Sequence, residues 1–150
     1  MTNRDTVALT GKLIISLNGE IVQRVNNLVV TAGKNWVTSR MNAATAGVMT
    51  HMAIGTGTTA AAAGQTALAT EAARVALTTS GGSVSNNVIT YAATIPADTP
   101  DVTAPATAAI TEAGIFNANS AGTMLCRTVF AAVNKGELDT MTISWDVTIS

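Results

Sequence analysis

The sequence predicts an all-β protein: an antiparallel β-sandwich, jelly-roll-like, with one short helix near residues 32–41. Three observations predict it. Met141 to Ile149 alternates apolar and polar residues without a break, the two-residue period of a half-buried strand. Asn18-Gly19 sits between two such segments, and this pair readily takes φ > 0 at both central positions of a type I′ hairpin turn. Seven or eight short segments of this kind are separated by regular turn signals, which suits a sandwich or jelly roll.

Taken in order, Val7 to Leu17 places Val7, Leu9, Leu13, Ile15 and Leu17 on one face. Glu20 to Val30 returns after the turn. Counting outward pairs Leu17 with Glu20, Ile15 with Val22 and Leu9 with Leu28. That register sets Arg24 and Asn26 on the apolar face, so a bulge near Asn26-Asn27 is expected to repair it. Thr31 is expected to cap a helix running from Ala32 to about Met41, weakened by Gly33. Trp36, Val37, Arg40 and Met41 share a side of it, with Trp36 as a core plug at one end of the sandwich.

Val48 to Ile54 reads as a strand ended by Gly55-Thr56-Gly57. A Gly-x-Gly after a strand invites a nucleotide reading. The third glycine of the dinucleotide fingerprint is missing and no βαβ unit surrounds it, so a tight loop is the reading taken. Thr58 to Gln65 is an Ala/Thr loop. Thr66 to Arg74 reads as a helical turn or the start of a strand, with Ala content favouring helix, and Val75 to Thr79 as extended. Gly81-Gly82 is a turn, and Val88 to Ile95 alternates again.

Every proline in the chain lies at 96, 100 or 105. Proline lacks an N–H and cannot sit in a central ladder, so residues 96–106 form a stiff excursion read as a contact loop. Three more strands are expected: Ala108 to Phe116, Thr123 to Val133 and Leu138 to Ile149. Asn117 to Gly122 and Asn134-Lys135-Gly136 are the turns between them. The middle strand places Met124, Phe130 and Ala132 on one face and Leu125, Val129 and Val133 on the other. It is expected to be covered by the second sheet and by another subunit. The closing strand then completes a three-strand meander, with Trp145 as a core anchor.

The 150 residues are read as one domain, 1–150, with Met1 to Asp5 a candidate N-terminal arm. Charged residues are 11% of the chain against a typical ~25%. A surface covered by Thr, Ser, Asn and Ala suits packing against other chains. The eight basic residues are scattered and the net charge is −1, so direct nucleic-acid binding is not expected. Neither a secretory signal nor a membrane span is expected. Cys126 is alone, which forbids an intrachain disulfide.

The search for chemistry yields no catalytic, cofactor-binding or metal-binding residues, and no enzyme is expected. His51 is the single histidine, and a zinc site needs several convergent ligands. Cys126 beside Arg127 would need His51 as its base to act as a nucleophile. Glu137 and Asp139 share a face on a strand and invite an acid/base reading, but a solvated strand start is simpler. Asp98 and Asp101 lack the acidic ladder of an EF-hand loop. Carbohydrate binding calls for exposed aromatics, while the alternation points Trp145 inward.

Three groups of residues carry a resemblance. They are Asn27 to Arg40 (NLVVTAGKNWVTSR); His51 to Thr59 (HMAIGTGTT) with Thr66 to Glu71 (TALATE); and Ile110 to Asn117 (ITEAGIFN) with Arg127 to Phe130 (RTVF). With these the chain, from about Leu9 to Ile149, resembles small structural proteins of tailed bacteriophages. It is most like capsid cement (decoration) proteins, which sit on the outer shell as trimers and clamp adjacent major capsid subunits. The resemblance implies a virion protein at the capsid surface, made in the host bacterial cytoplasm. Its implied partners are itself, as a homotrimer, and the major capsid protein. A tail, neck or fibre structural protein is the alternative, and a host-receptor or glycan-binding module the lesser one. The resemblance is a pattern of turns and core positions and brings no site residues.

Overall fold

The computed structural model describes residues 6–42, 46–101 and 106–150. The candidate arm at Met1–Asp5 and the tip of the proline loop at 102–105 lie outside them. The elements are β1 (Leu9–Leu17), β2 (Glu20–Val29), α1 (Thr31–Met41), β3 (His51–Gly55), β4 (Glu71–Ala76), β5 (Ser83–Ser85), β6 (Val88–Ile95), β7 (Thr107–Phe116), β8 (Met124–Gly136) and β9 (Met141–Ile149). All strand pairs are antiparallel, and the nine form one sheet in the order β4-β3-β7-β8-β2-β1-β9-β6-β5. The all-β expectation holds. The sandwich is one curled sheet, and its jelly-roll winding stays an expectation.

The sheet folds over at β2, whose last residues reach β8 through Leu28–Arg127 and Val29–Cys126. Each half therefore lays its apolar side chains against the other. Leu13, Ile15, Tyr91, Ile95, Ile143 and Trp145 from one half share a buried core with Met52, Ile54, Ile110, Ile115, Leu125 and Phe130 from the other. Beyond β4 the chain returns to the first half, where Thr78 N–H donates to Ala92 O in β6 at 2.8 Å.

The β9 alternation behaves as expected. Met141, Ile143, Trp145 and Val147 are buried, while Thr142 and Asp146 are exposed. Its partners are different, however. β9 lies between β1 and β6, pairing Leu13 with Trp145 and Tyr91 with Trp145, and is not the end of a meander with β8. The reason is inward demand: β9 offers a fully apolar face, and the apolar faces of β1 and β6 complete it.

The hairpin turn forms with Asn18 at φ 50° and Gly19 at φ 84°. Leu17 pairs with Glu20 as counted, but Ile15 pairs with Gln23. The extra residue is Val22, so the bulge sits beside the turn rather than near Asn26-Asn27. It still cures the conflict, because Arg24 and Asn26 now face out while Val25 and Val29 face in. A cost moves to Asn27, whose side-chain amide is buried without a hydrogen-bond partner. It lies over Gly11, where a Cβ would come 1.5 Å from Asn27 Oδ1.

Helix α1 forms, but Thr31 does not cap it. Val30 occupies the N-cap position with no side-chain bond, and Thr31 N–H donates to Ala63 O at 2.8 Å. Gly33, a helix-weakening residue by propensity, is required by packing: a Cβ there would stand 2.0 Å from Leu125 O. Trp36 and Val37 pack on the core as expected, whereas Met41 is exposed.

Other boundaries shift for identifiable reasons. Val48 to Thr50 precede β3 rather than belong to it. No helix forms over Thr66 to Arg74, because the N–H groups of Ala69 and Thr70 are taken by a carboxylate from β7. The three-residue β5 was too short to give a period. Asn134-Lys135-Gly136 continues β8 instead of turning. Lys135 is buried, and its ammonium donates to Pro96 O at 2.8 Å. The turn follows at Glu137 to Thr140.

The first half of β8 is covered on both faces, as expected, but its outer cover is the protein's own loop and helix rather than another subunit. Val30 and Leu68 pack there with Phe116 and Met124. Ala132, assigned to a buried face, is exposed.

Candidate functional site

The most concentrated polar chemistry lies where that loop meets the sheet. Glu112 on β7 and Arg127 on β8 are both fully buried. Arg127 donates from Nε and Nη2 to Glu112 Oε2, at 3.0 and 2.6 Å. Its remaining donors go to Gln65 Oε1 and Thr59 O, each at 2.8 Å. The carboxylate also accepts three backbone N–H groups: Gly57 at 3.0 Å and Thr70 at 2.7 Å on Oε1, and Ala69 at 2.9 Å on Oε2. Thr111 donates to Gly57 O at 2.7 Å.

This explains the Gly-x-Gly. It gives one backbone N–H, that of Gly57, to an anion cradle completed by Ala69 and Thr70, and the anion is the protein's own Glu112. A Cβ on Gly57 would stand 2.4 Å from Glu112 Oε1, and one on Gly55 would stand 2.3 Å from Thr70 O. Burial raises the Glu112 pKa. The hydrogen bonds from Thr70, Ala69, Arg127 and Gly57 lower it and prevail, so the group titrates below its ordinary value. The carboxylate takes five hydrogen bonds and the guanidinium makes four, so the pair braces the loop and the carboxylate is fully engaged within the protein.

A related clasp lies nearby. Arg74 meets Glu71 through two 2.8 Å bonds, donates to Ala118 O and Ala121 O, and stacks over the Phe116 ring at 3.8 Å. Thus the stretches His51–Thr59, Thr66–Glu71, Ile110–Asn117 and Arg127–Phe130 converge in space around one buried ion pair. In the sequence Glu112 lies within the stretch Ile110 to Asn117 with no role attached, and Arg127 is singled out only as a neighbour of Cys126. The available signal was one charge of each sign, Glu112 and Arg127, set among mainly apolar residues in two neighbouring segments.

The other candidates are not brought together. Met52 and Cys126 point into the main core across β7, so His51, next to Met52, points away from it. Cys126 is fully buried, and that burial pushes its thiol well above the usual range. Thr50 Oγ1 lies 2.7 Å from His51 Nδ1. Asp139 is a turn clasp: Oδ1 accepts from Asn18 at 2.8 Å and Oδ2 from Gly136 N–H at 2.7 Å. Among the described residues no three His, Cys, Asp or Glu gather as a metal site. None of the five aromatic side chains is exposed. Trp145 and Tyr91 are in the core, Phe116 and Phe130 are buried, and half-buried Trp36 donates its indole N–H to Gly47 O at 2.8 Å.

Apolar residues are exposed at both ends of the strands. At one end α1 and the β5–β6 hairpin enclose an apolar cleft of about 230 Å³, lined by Trp36, Val37, Val84, Ile89, Val147 and Ile149 among others. At the other end the β1–β2 and β8–β9 turns expose Ile21, Val22 and Leu138. No helix among the described residues is long and apolar enough to cross a membrane. Comparison of the chain with protein-family models, with curated proteins and with solved structures gives no match.

Proposed function

We propose that the protein is a structural component of a tailed-bacteriophage virion, a capsid cement (decoration) protein that binds the outer shell and stabilises contacts between major capsid subunits. Its partners on this reading are the major capsid protein and further copies of itself, as a homotrimer. The observation that carries the reading is the placement of charge. Glu112, Arg127, Lys135 and Arg74 are turned inward to brace loops. An already weakly charged chain is left with a Thr, Ser, Asn and Ala surface and exposed apolar residues at both ends. Such a surface favours packing over solvation. Rigid modules of this kind act mechanically, because many modest contacts on a symmetric shell add up.

The test is an image of the intact particle with the copy number of the protein. Cement predicts density on the outer shell and hundreds of copies. A handful of copies in a neck, tail or fibre would replace this reading with the alternative, and absence from the particle would overturn both.

A further inference from the structure

We infer that the apolar cleft beside α1 is a docking site for a second copy of this chain, and that its occupant is the β8–β9 turn carrying Leu138. The inference rests only on the chain's own geometry and is a contact separate from the homotrimer proposed above.

The two features lie at opposite ends of the same strands. β1 and β9 both run from the Leu138 end, at Leu17 and Met141, to the cleft, at Leu9 and Ile149. Nine extended residues separate the ends by roughly 30 Å. One chain therefore cannot fill its own cleft with its own turn, whereas a neighbour stacked end to end can.

The surfaces are complementary in shape and polarity. The cleft is concave, and Val84 on its rim is 72% exposed. The turn is convex, and Leu138 at its tip is 85% exposed. The turn is also held rigid. Asn18 donates to Asp139 and accepts from Thr140 N–H at 3.0 Å, Asp139 accepts from Gly136, and Asp98 N–H donates to Glu137 O at 2.7 Å. Little side-chain or loop order remains to be lost on docking, which favours association.

The surfaces are complementary in charge as well. Glu20, Asp98, Glu137 and Asp139 surround the leucine, and the one cation among them, Lys135, is buried. The cleft lining holds one cation, the exposed Arg40 of α1, and no acid, while Lys34 on the same helix lines the adjoining groove. Acidic tip and basic rim attract and set the polarity of stacking. The contact is heterologous, head to tail, so it propagates into a ring or a filament rather than stopping at a two-fold dimer.

The experiment uses purified full-length chains in sedimentation velocity, with Leu138→Asp and Val84→Asp. Both positions are exposed, so both variants should melt within a few degrees of the parent. The parent should show concentration-dependent species above the 15.2 kDa chain mass, and each variant alone should sediment as that single chain. Mixed, they should form a complex of twice the chain mass and no larger, since one supplies an intact cleft and the other an intact turn. Three results overturn the inference: a parent that stays a single chain at millimolar concentration, a variant that still associates, or a mixture that does not. A monomeric parent whose cleft binds the apolar dye ANS would assign the cleft to a small ligand instead. Because no particle is involved, failure here leaves the capsid reading to the particle image.

Discussion

Replacing Arg127 with Met tests whether the buried ion pair holds the long loop in place. The substitution keeps most of the aliphatic volume but leaves a fully buried Glu112 without its guanidinium, and strips Thr59 O and Gln65 of a donor. Breaking a buried pair from one side costs about 3–5 kcal/mol. Three backbone N–H groups still hold the carboxylate, so the lower end, about 3 kcal/mol, is expected. For a domain whose total stability is on the order of 5–15 kcal/mol this is a large fraction. At about 2–4 °C per kcal/mol it lowers Tm by roughly 6–12 °C. Urea unfolding followed by tryptophan emission measures it.

The pH dependence adds a second reading of the same group. Because Glu112 titrates below 4.5 when folded, its contribution is present above that value and is lost as pH falls through the folded pKa. Glu112→Gln should therefore cost most near neutrality, and the gap to the parent should narrow between about pH 5 and pH 3. A loss under about 1 kcal/mol for Arg127→Met, with a gap for Glu112→Gln that does not change with pH, would refute the idea that the charges hold the loop.

Gly57→Ala should cost about 1–3 kcal/mol by crowding Glu112, while Gly64→Ala in the same loop, with nothing within 4 Å, should stay within about 0.5 kcal/mol; thermal melts of the pair separate them. Gly11→Ala should be strongly destabilising because its Cβ meets Asn27, and Asn27→Ala should recover much of the loss, giving a coupling of about 1–3 kcal/mol in a double-mutant cycle. Cys126 should resist a thiol reagent in the folded protein and react fully in urea; rapid labelling of the native chain would contradict its burial.

How much of this was legible in the sequence depends on range. Two-residue alternation exposed β9 and β6, and Asn18-Gly19 marked the first hairpin, because each is decided by neighbours in sequence. Partnership was not legible. Nothing local says that β9 lies between β1 and β6, since β8 presents an equally apolar neighbour only a turn away. The bulge was foreseeable in kind, because Arg24 and Asn26 had to leave the core. Its place was not, because that depends on how Gly11 and Asn27 meet across the pair. Ala-rich Thr66 to Arg74 misled for a related reason: propensity favoured helix, and a carboxylate over forty residues away captured the N–H groups of Ala69 and Thr70.

The Gly-x-Gly shows the same limit at the level of function. Backbone N–H groups on a glycine-bearing loop are an anion site wherever they converge, and the motif alone does not say whose anion. Here Glu112 fills it and Arg127 neutralises it, so the charge that would mark a ligand site is internal. That placement bears on the surface as well. Among the described residues, two basic side chains (Arg127 and Lys135) and one acidic one (Glu112) are fully buried, and Arg74 is nearly so. The exterior is thus less charged than an already low composition implies. Part of what remains is unevenly placed, with Glu20, Asp98, Glu137 and Asp139 around Leu138 and Arg40 in the cleft, while Lys12, Arg24 and Asp146 share a groove between the two ends. A surface that repels itself weakly and carries opposite signs at opposite ends favours end-to-end packing of like chains.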